Sequence, residues 1–505
     1  MTSLWLDRKR EIATDSFTPD SIYDTIVVGG GLAGLCTALL LTRSGQSVAV
    51  VEARELGAVT TGNTTAKLSL LHGSQLSRVL KHNSLEVAKA YVEANLEGQQ
   101  WMLRYCADHN LAVQRRDAYT YAGTPDGAER VRQEYEACRS AGLDVTLEQD
   151  TELPFPTYGA VRLANQAQFD PLDVVEKLAS DIRSRGGHIF THARVTDVTK
   201  TGTRVEALTA QGGIYADRVV LATGMPFLAK GAYFARLKPL RSYALAFRVP
   251  GPIPQGMYLS VDEPTRSLRT APRAGTGDGA DGTELLVVGG NGHVVGRESP
   301  TSGQVQDLED WTVQHFPGAE RTHSWSAQDY RPLDYAPHSG PITGGNKHVY
   351  VATGFNKWGM TNAVAASVAL AGRLLDGEME WANVLYDRPA TLSDAPDAIA
   401  LNAEVGLELA KDWLGHVLPN REDAPPAEGE GRVEGGGLKP VGVCTVDGVT
   451  TRVSAVCTHL GGVVSWNDAE RSWDCPLHGS RYSHDGTRLE GPTVKDLEQI
   501  TDSGT

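Results

Sequence analysis

Cysteine is scarce, with six in 505 residues. That sparseness fits a reducing compartment, so a cytoplasmic location is expected. Positive charge is also short: 47 Lys and Arg stand against 62 Asp and Glu, a net charge of −15. Such a balance disfavours nucleic acid or an anionic membrane as a partner. Long apolar runs are missing too. The longest, from Ile26 to Leu41, is interrupted by Gly29, Gly30, Gly31 and Gly34, too short and glycine-rich for a membrane span. The opening MTSLWLDRKREIATDSFTPD has basic residues without an apolar stretch behind them, so neither a Sec nor a twin-Arg signal is expected. What remains is ordinary globular material, 41% hydrophobic and 22% charged, long enough for two or three domains.

The first strong pattern is DTIVVGGGLAGLCTALLLTRSGQSVAVVEA, residues 24–53. It reads as a buried strand (Ile26, Val27, Val28), a G-x-G-x-x-G turn (Gly29, Gly31, Gly34), an apolar helix from Leu32 to Thr42 and a second strand ending in Glu52. The first glycine permits the tight turn. The second lets backbone N–H groups approach a pyrophosphate, and the third lets helix and strand pack closely. Glu52, eighteen residues after Gly34, is placed to accept from a ribose hydroxyl.

Two further segments, RVVLATG (218–224) and HVYVATGFNKWGMTNAVAAS (348–367), repeat the strand-to-small-residue-turn pattern. Together with the first loop they resemble the FAD-binding fold of the D-amino-acid oxidase and glycine oxidase superfamily over roughly residues 22–390. The resemblance implies FAD contacts at Leu32, Ala33, Ala53, Val195, Thr223 and Gly224. In TTGNTTAKLS (60–69) it implies contacts at Thr61, Asn63, Thr64 and Thr65, with Lys67 a candidate for catalysis. It places Gly354, Phe355, Trp358, Gly359, Met360 and Thr361 along the flavin, where the positive end of the next helix would favour an anionic reduced ring.

Between these segments, SLEVAKAYVEANLEGQQWMLRYCADH and GAERVRQEYEACRSAG read as amphipathic helices, with β-rich stretches such as AYTYAG and KPLRSYALAFRV beside them. This fits an inserted substrate domain, and Cys36, Cys106 and Cys138 read as core. ELLVVGGNGHVVGRESP (284–300) imitates a second nucleotide loop. Val295 occupies the position of the third glycine and Pro300 follows, so a strand and turn are expected instead. WSAQDYRPLDYAPHSGPITGG (325–345) resembles the superfamily turn whose Arg clamps a substrate carboxylate, which makes Arg331 the matching candidate. The chain departs from that pattern in having PHSG before the last strand. Tyr243, His293 and His338 are further candidates for the pocket.

After a helical stretch near 398–418, residues 419–437 are rich in Pro, Glu and Gly and read as a connection. Beyond it, CTHLGG and CPLHGS set Cys457, His459, Cys475 and His478 in the order C-x-H, fifteen residues, C-x-x-H. Two thiolates and two imidazoles would suit zinc. The spacing resembles a Rieske domain, in which two Cys hold one iron of a [2Fe–2S] cluster and two His the other. Gly461 and Leu477 stand where respiratory Rieske proteins carry a disulfide, so that clamp is missing. Ser480 and Tyr482 match hydroxyls that donate to cluster sulfurs, which implies a mid-to-high potential within the Rieske range of about −150 to +300 mV. Cys444 reads as structural. Only 27 residues follow His478, with His484 the one histidine among them, too few for the mononuclear iron domain of a Rieske oxygenase.

The expected fold class is α/β: a Rossmann-like FAD-binding domain (about 22–80, 160–225 and 340–390) with an inserted α+β substrate domain (about 84–160 and 226–340). Residues 396–437 form a helix and linker, and 438–505 a small all-β Rieske domain. The resemblance implies hydride transfer from an amine or amino-acid substrate to FAD, giving an imine, with the cluster relaying electrons singly to an external acceptor. An O₂-using oxidase with a structural Rieske domain and a non-catalytic electron-transfer module stay open as alternatives, as does a homodimer.

Overall fold

The computed structural model describes residues 1–500 except 273–283, 345–346, 389–400, 410–412, 414–423 and 436–438. An eight-stranded sheet forms the first layer. Its centre is parallel, in the order Val349–Thr353, Gly212–Leu221, Ile22–Val28, Val48–Val51, His188–Phe190. Ile26, Val27, Val48, Ala49 and Val50 are fully buried, as strands covered on both faces must be. The helix Leu32–Arg43 lies on that sheet and buries ten of its twelve residues, which explains its apolar character all round.

A nine-stranded mixed sheet carries the inserted part, with Glu320–Pro332, Leu237–Arg248 and Glu284–Val294 adjacent at one end. The imitation nucleotide loop is thus a sheet strand, as expected from Val295 and Pro300. The long helix Leu85–Asp108 starts at Ser84, whose hydroxyl accepts from the Val87 N–H and satisfies one orphan donor. It crosses the helix Gly359–Leu374 at Gly98, where a methyl group would lie 2.6 Å from the Thr361 carbonyl oxygen. Cys36, Cys106, Cys138 and Cys444 are buried, and all six cysteines are unbridged. No helix among the described residues is long and apolar enough to cross a membrane.

The tail comprises two small antiparallel sheets around Trp466 and Trp473, whose rings sit 4.8 Å apart. Residues 431–434, expected in the connection, instead form a strand paired with Val441–Val446. Gly431 lies against Trp466 and Cys444 and Val433 is half-buried on the tail core, which composition alone concealed. Of the helical stretch before it, 401–409 is helical; the rest, except Trp413, and residues 419–423 and 436–437 of the expected connection, lie outside the described residues.

Candidate cofactor cavity and iron–sulfur site

The two large sheets and the tail line a partly open cavity of about 350 Å³. Gly29, Gly31, Leu32 and Ala33 line one end with Glu52, Ala53, Val195, Thr223 and Gly224. The glycine geometry requires glycine: a Cβ on Gly29 would meet the Ala222 carbonyl at 2.4 Å, at a φ of +114°. One on Gly34 would meet the Gly29 carbonyl at 1.9 Å, so Gly34 packs helix on strand and does not face the cavity. Glu52 accepts from the Gly30 N–H (2.6 Å) and the Arg54 N–H (2.8 Å), which fixes its carboxylate at the cavity edge. Thr61 accepts from the Leu32 N–H at 3.1 Å.

Thr61, Asn63, Thr64, Thr65 and Lys67 line the middle. The N-terminal arm holds this loop from outside: Ser3 donates to the Gly62 carbonyl and the Trp5 indole to that of Thr64. Lys67 is buried, donating to the Tyr258 carbonyl and Ser267 hydroxyl; burial and the nearby Arg269 charge pull its pKa down to about 7. Phe355, Trp358, Gly359 and Met360 close the far wall. Gly354 and Thr361 stand behind it. Gly354 abuts Pro332, and the Thr361 hydroxyl is 3.2 Å from His72, whose ring stacks on Trp358 at 4.3 Å.

Arg331 is not in this wall. Its guanidinium lies over the Tyr335 ring, 5.0 Å from the centroid, because the turn after Pro332 folds Tyr335 back beneath it. A different cation lines the cavity. Lys357 is enclosed by protein yet exposed into the cavity, and burial lowers its pKa despite the Asp329 charge. Its Nζ meets Gly292, where a Cβ would lie 2.7 Å from Nζ and 3.1 Å from the Ser242 hydroxyl. That hydroxyl is buried, lines the cavity and has no hydrogen-bond partner. Asp329 also faces the cavity, accepting from the Tyr330 and Lys357 N–H groups, with burial pushing its pKa up to about 6. Tyr243 lines the wall and its hydroxyl is 3.1 Å from His293; His338 lies elsewhere, edge-on to Tyr233. Lys357 and Ser242 had no motif to announce them: they are joined through the strand Glu320–Pro332, which pairs with Leu237–Arg248 and whose Asp329 accepts from the Lys357 N–H.

In the tail, the four candidate ligands divide into pairs. Cys457 and Cys475 are neighbours whose interaction lowers the Cys457 pKa and raises that of Cys475. The Tyr482 hydroxyl is 3.2 Å from Cys457 Sγ. The His459 and His478 rings sit 5.1 Å apart. His478 Nδ1 is buried without any hydrogen-bond partner, the state of a nitrogen reserved for a metal. Two sulfurs on one side and two imidazoles on the other fit a two-iron cluster, and among the described residues no three such side chains converge on one ion.

The tail is docked rather than tethered. Buried Arg241 pairs with Glu470 and lies 3.4 Å from Asp474, while Arg481 binds Glu470, Asp474 and Glu490. Burial would raise the Asp474 carboxyl, but Arg241 and Arg481 hold it down to about 2. Gln328 donates to the Gly479 carbonyl at 2.7 Å, and Thr301 donates to Asn467 and Asp468. Leu489, Glu490, Gly491, Thr493 and Val494 of the tail form part of the cavity wall.

A G-x-G-x-x-G loop opening onto a cavity, together with a paired Cys/His site, fits an oxidoreductase built from a flavin part and an iron–sulfur part. The chain belongs to the FAD dependent oxidoreductase family, whose model matches residues 24–373, and a Rieske [2Fe-2S] domain matches 422–501. FAD and a Rieske [2Fe–2S] cluster are therefore its cofactors. It is 31% identical over 486 residues to the "Putative Rieske 2Fe-2S iron-sulfur protein YhfW" of Bacillus subtilis (strain 168), covering 95% of this chain and 94% of that one. Its fold resembles glycine oxidase from Geobacillus kaustophilus (TM-score 0.59, 18% identity, 71% of this chain and 96% of the other). It also resembles L-proline dehydrogenase from P. horikoshii (TM-score 0.58, 16% identity, 72% and 96%).

Proposed function

We propose that the chain oxidises the C–N bond of a carboxylate-bearing amine, an amino acid or a close relative, with electrons leaving through the Rieske cluster to an external acceptor. Bound FAD supplies two-electron hydride acceptance, and the cluster one-electron transfer. The observation that carries the substrate class is the convergence of Lys357 Nζ and the unpartnered Ser242 hydroxyl at Gly292. Both donate, so together they suit a carboxylate, and the missing side chain at Gly292 leaves the room. Asp329, in the same wall with its carboxyl pushed up to about 6, suits the role of taking a proton from the substrate ammonium near neutral pH. Trp358, braced by His72, presents an apolar face that excludes water beside these groups.

The test is an anaerobic screen of amines and amino acids that follows flavin bleaching and the Rieske EPR signal together. Bleaching followed by growth of the reduced-cluster signal is the expected result. Bleaching with a cluster that stays oxidised until air enters would replace the relay by an O₂-using oxidase.

A further inference from the structure

The histidine edge of the tail is partly covered: His478 is buried and His459 half-buried. Phe234, carried by the inserted part, stands edge-on to both imidazoles, with ring centroids 5.6 Å from His459 and 5.3 Å from His478. Its position is set by the turn at Ala232, which adopts a left-handed φ of 46° and opens the short helical turn Tyr233–Ala235. The chain leading to it begins at Thr223, Gly224 and Met225, which line the flavin cavity. A second bridge runs the other way. Thr493 lines the cavity, its N–H donates to Ser480 at 3.1 Å, two residues past His478, and its hydroxyl pairs at 2.6 Å with Thr458, which lies between Cys457 and His459.

We propose that Phe234 is the positioning contact that couples the two redox centres, so that the cluster exchanges electrons with the flavin of its own chain through its histidine edge. This deepens the relay proposed above. In each exchange one electron leaves the reduced flavin and one enters the cluster, converting one ferric iron to ferrous. No heavy-atom bond forms or breaks, and the flavin's proton goes to solvent. Two exchanges remove the pair of electrons taken from one C–H bond, and a one-electron acceptor outside the chain collects them from the cluster.

The experiment is flash photoreduction of the fully loaded chain by a deazaflavin donor, with no amine present, following flavin absorbance and cluster visible circular dichroism. The expected relaxation between centres is first order and independent of protein concentration. Phe234→Leu slows it about tenfold, equivalent to about 1.4 kcal/mol at the barrier. Phe234→Tyr retains the native rate, and both variants keep native flavin and cluster spectra. Relaxation that speeds up in proportion to protein concentration, or a native rate in Phe234→Leu, would overturn the proposal. If Phe234→Leu fails to fold, the concentration series on the unmodified chain decides alone. Because no amine enters the test, failure of the substrate reading leaves its outcome untouched.

Discussion

Replacing Lys357 by Met keeps the stem and removes the charge that faces Gly292 and Ser242. A hydrogen bond to a charged group contributes about 1.5–3 kcal/mol, so KM for an acidic substrate should rise about 10- to 100-fold, with kcat changed far less. An analogue lacking the carboxylate should show no such rise, and steady-state kinetics on the pair checks both. Asp329 carries the pH dependence. As a proton acceptor it works only when ionised, so kcat/KM should climb with pH through about 6 and then level off. In Asp329→Asn that limb should vanish together with most of the rate, whereas loss of rate with an unchanged profile would make the residue structural. Neither role was legible in the chain. Lys357 and Ser242 are far apart in sequence and meet only because Asp329 holds the turn of Lys357 to a strand that pairs with Leu237–Arg248. Arg331 had the motif but not the surroundings, since Tyr335 captures its guanidinium away from the cavity.

At the level of elements, the glycine loop and its helix behave as one packed unit. Gly34→Ala drives a methyl group into the Gly29 carbonyl, and overpacking of this kind costs about 1–3 kcal/mol. FAD content should fall and flavin should be released at a lower temperature, as flavin fluorescence during heating would report. The cluster EPR signal should persist, because the tail has its own buried core around Trp466 and Trp473. This unit was readable from sequence because every residue that shapes it lies within one strand–turn–helix–strand passage. The candidate ligands could be singled out for the same reason: two short loops carry all four side chains. The strand 431–434 was not, because pairing with Val441–Val446 depends on a partner, whereas a Gly- and Glu-rich composition reads as connection.

Across the whole molecule, the tail is seated by charge buried from water. Two guanidiniums, Arg241 and Arg481, hold Glu470, Asp474 and Glu490. Arg241→Met strands carboxylates in the interface, and breaking a buried pair costs about 3–5 kcal/mol. Urea denaturation should show the tail leaving before the flavin part unfolds, with protease cleavage between the two parts appearing at the same denaturant concentration. High salt should change this little, since buried pairs are poorly screened. The docking orientation was beyond the sequence, which showed two cofactor domains but nothing of the face each turns to the other.

The seating of residues 489–494 in the cavity wall has a consequence for biogenesis. A wall supplied by the tail is complete only after the tail has folded, and the loops behind it carry the four candidate cluster ligands. Flavin retention is thereby tied to metal supply. Chains produced under iron starvation should emerge poor in flavin as well as in cluster, and the flavin-to-protein ratio across an iron series would measure how tightly the two are matured together.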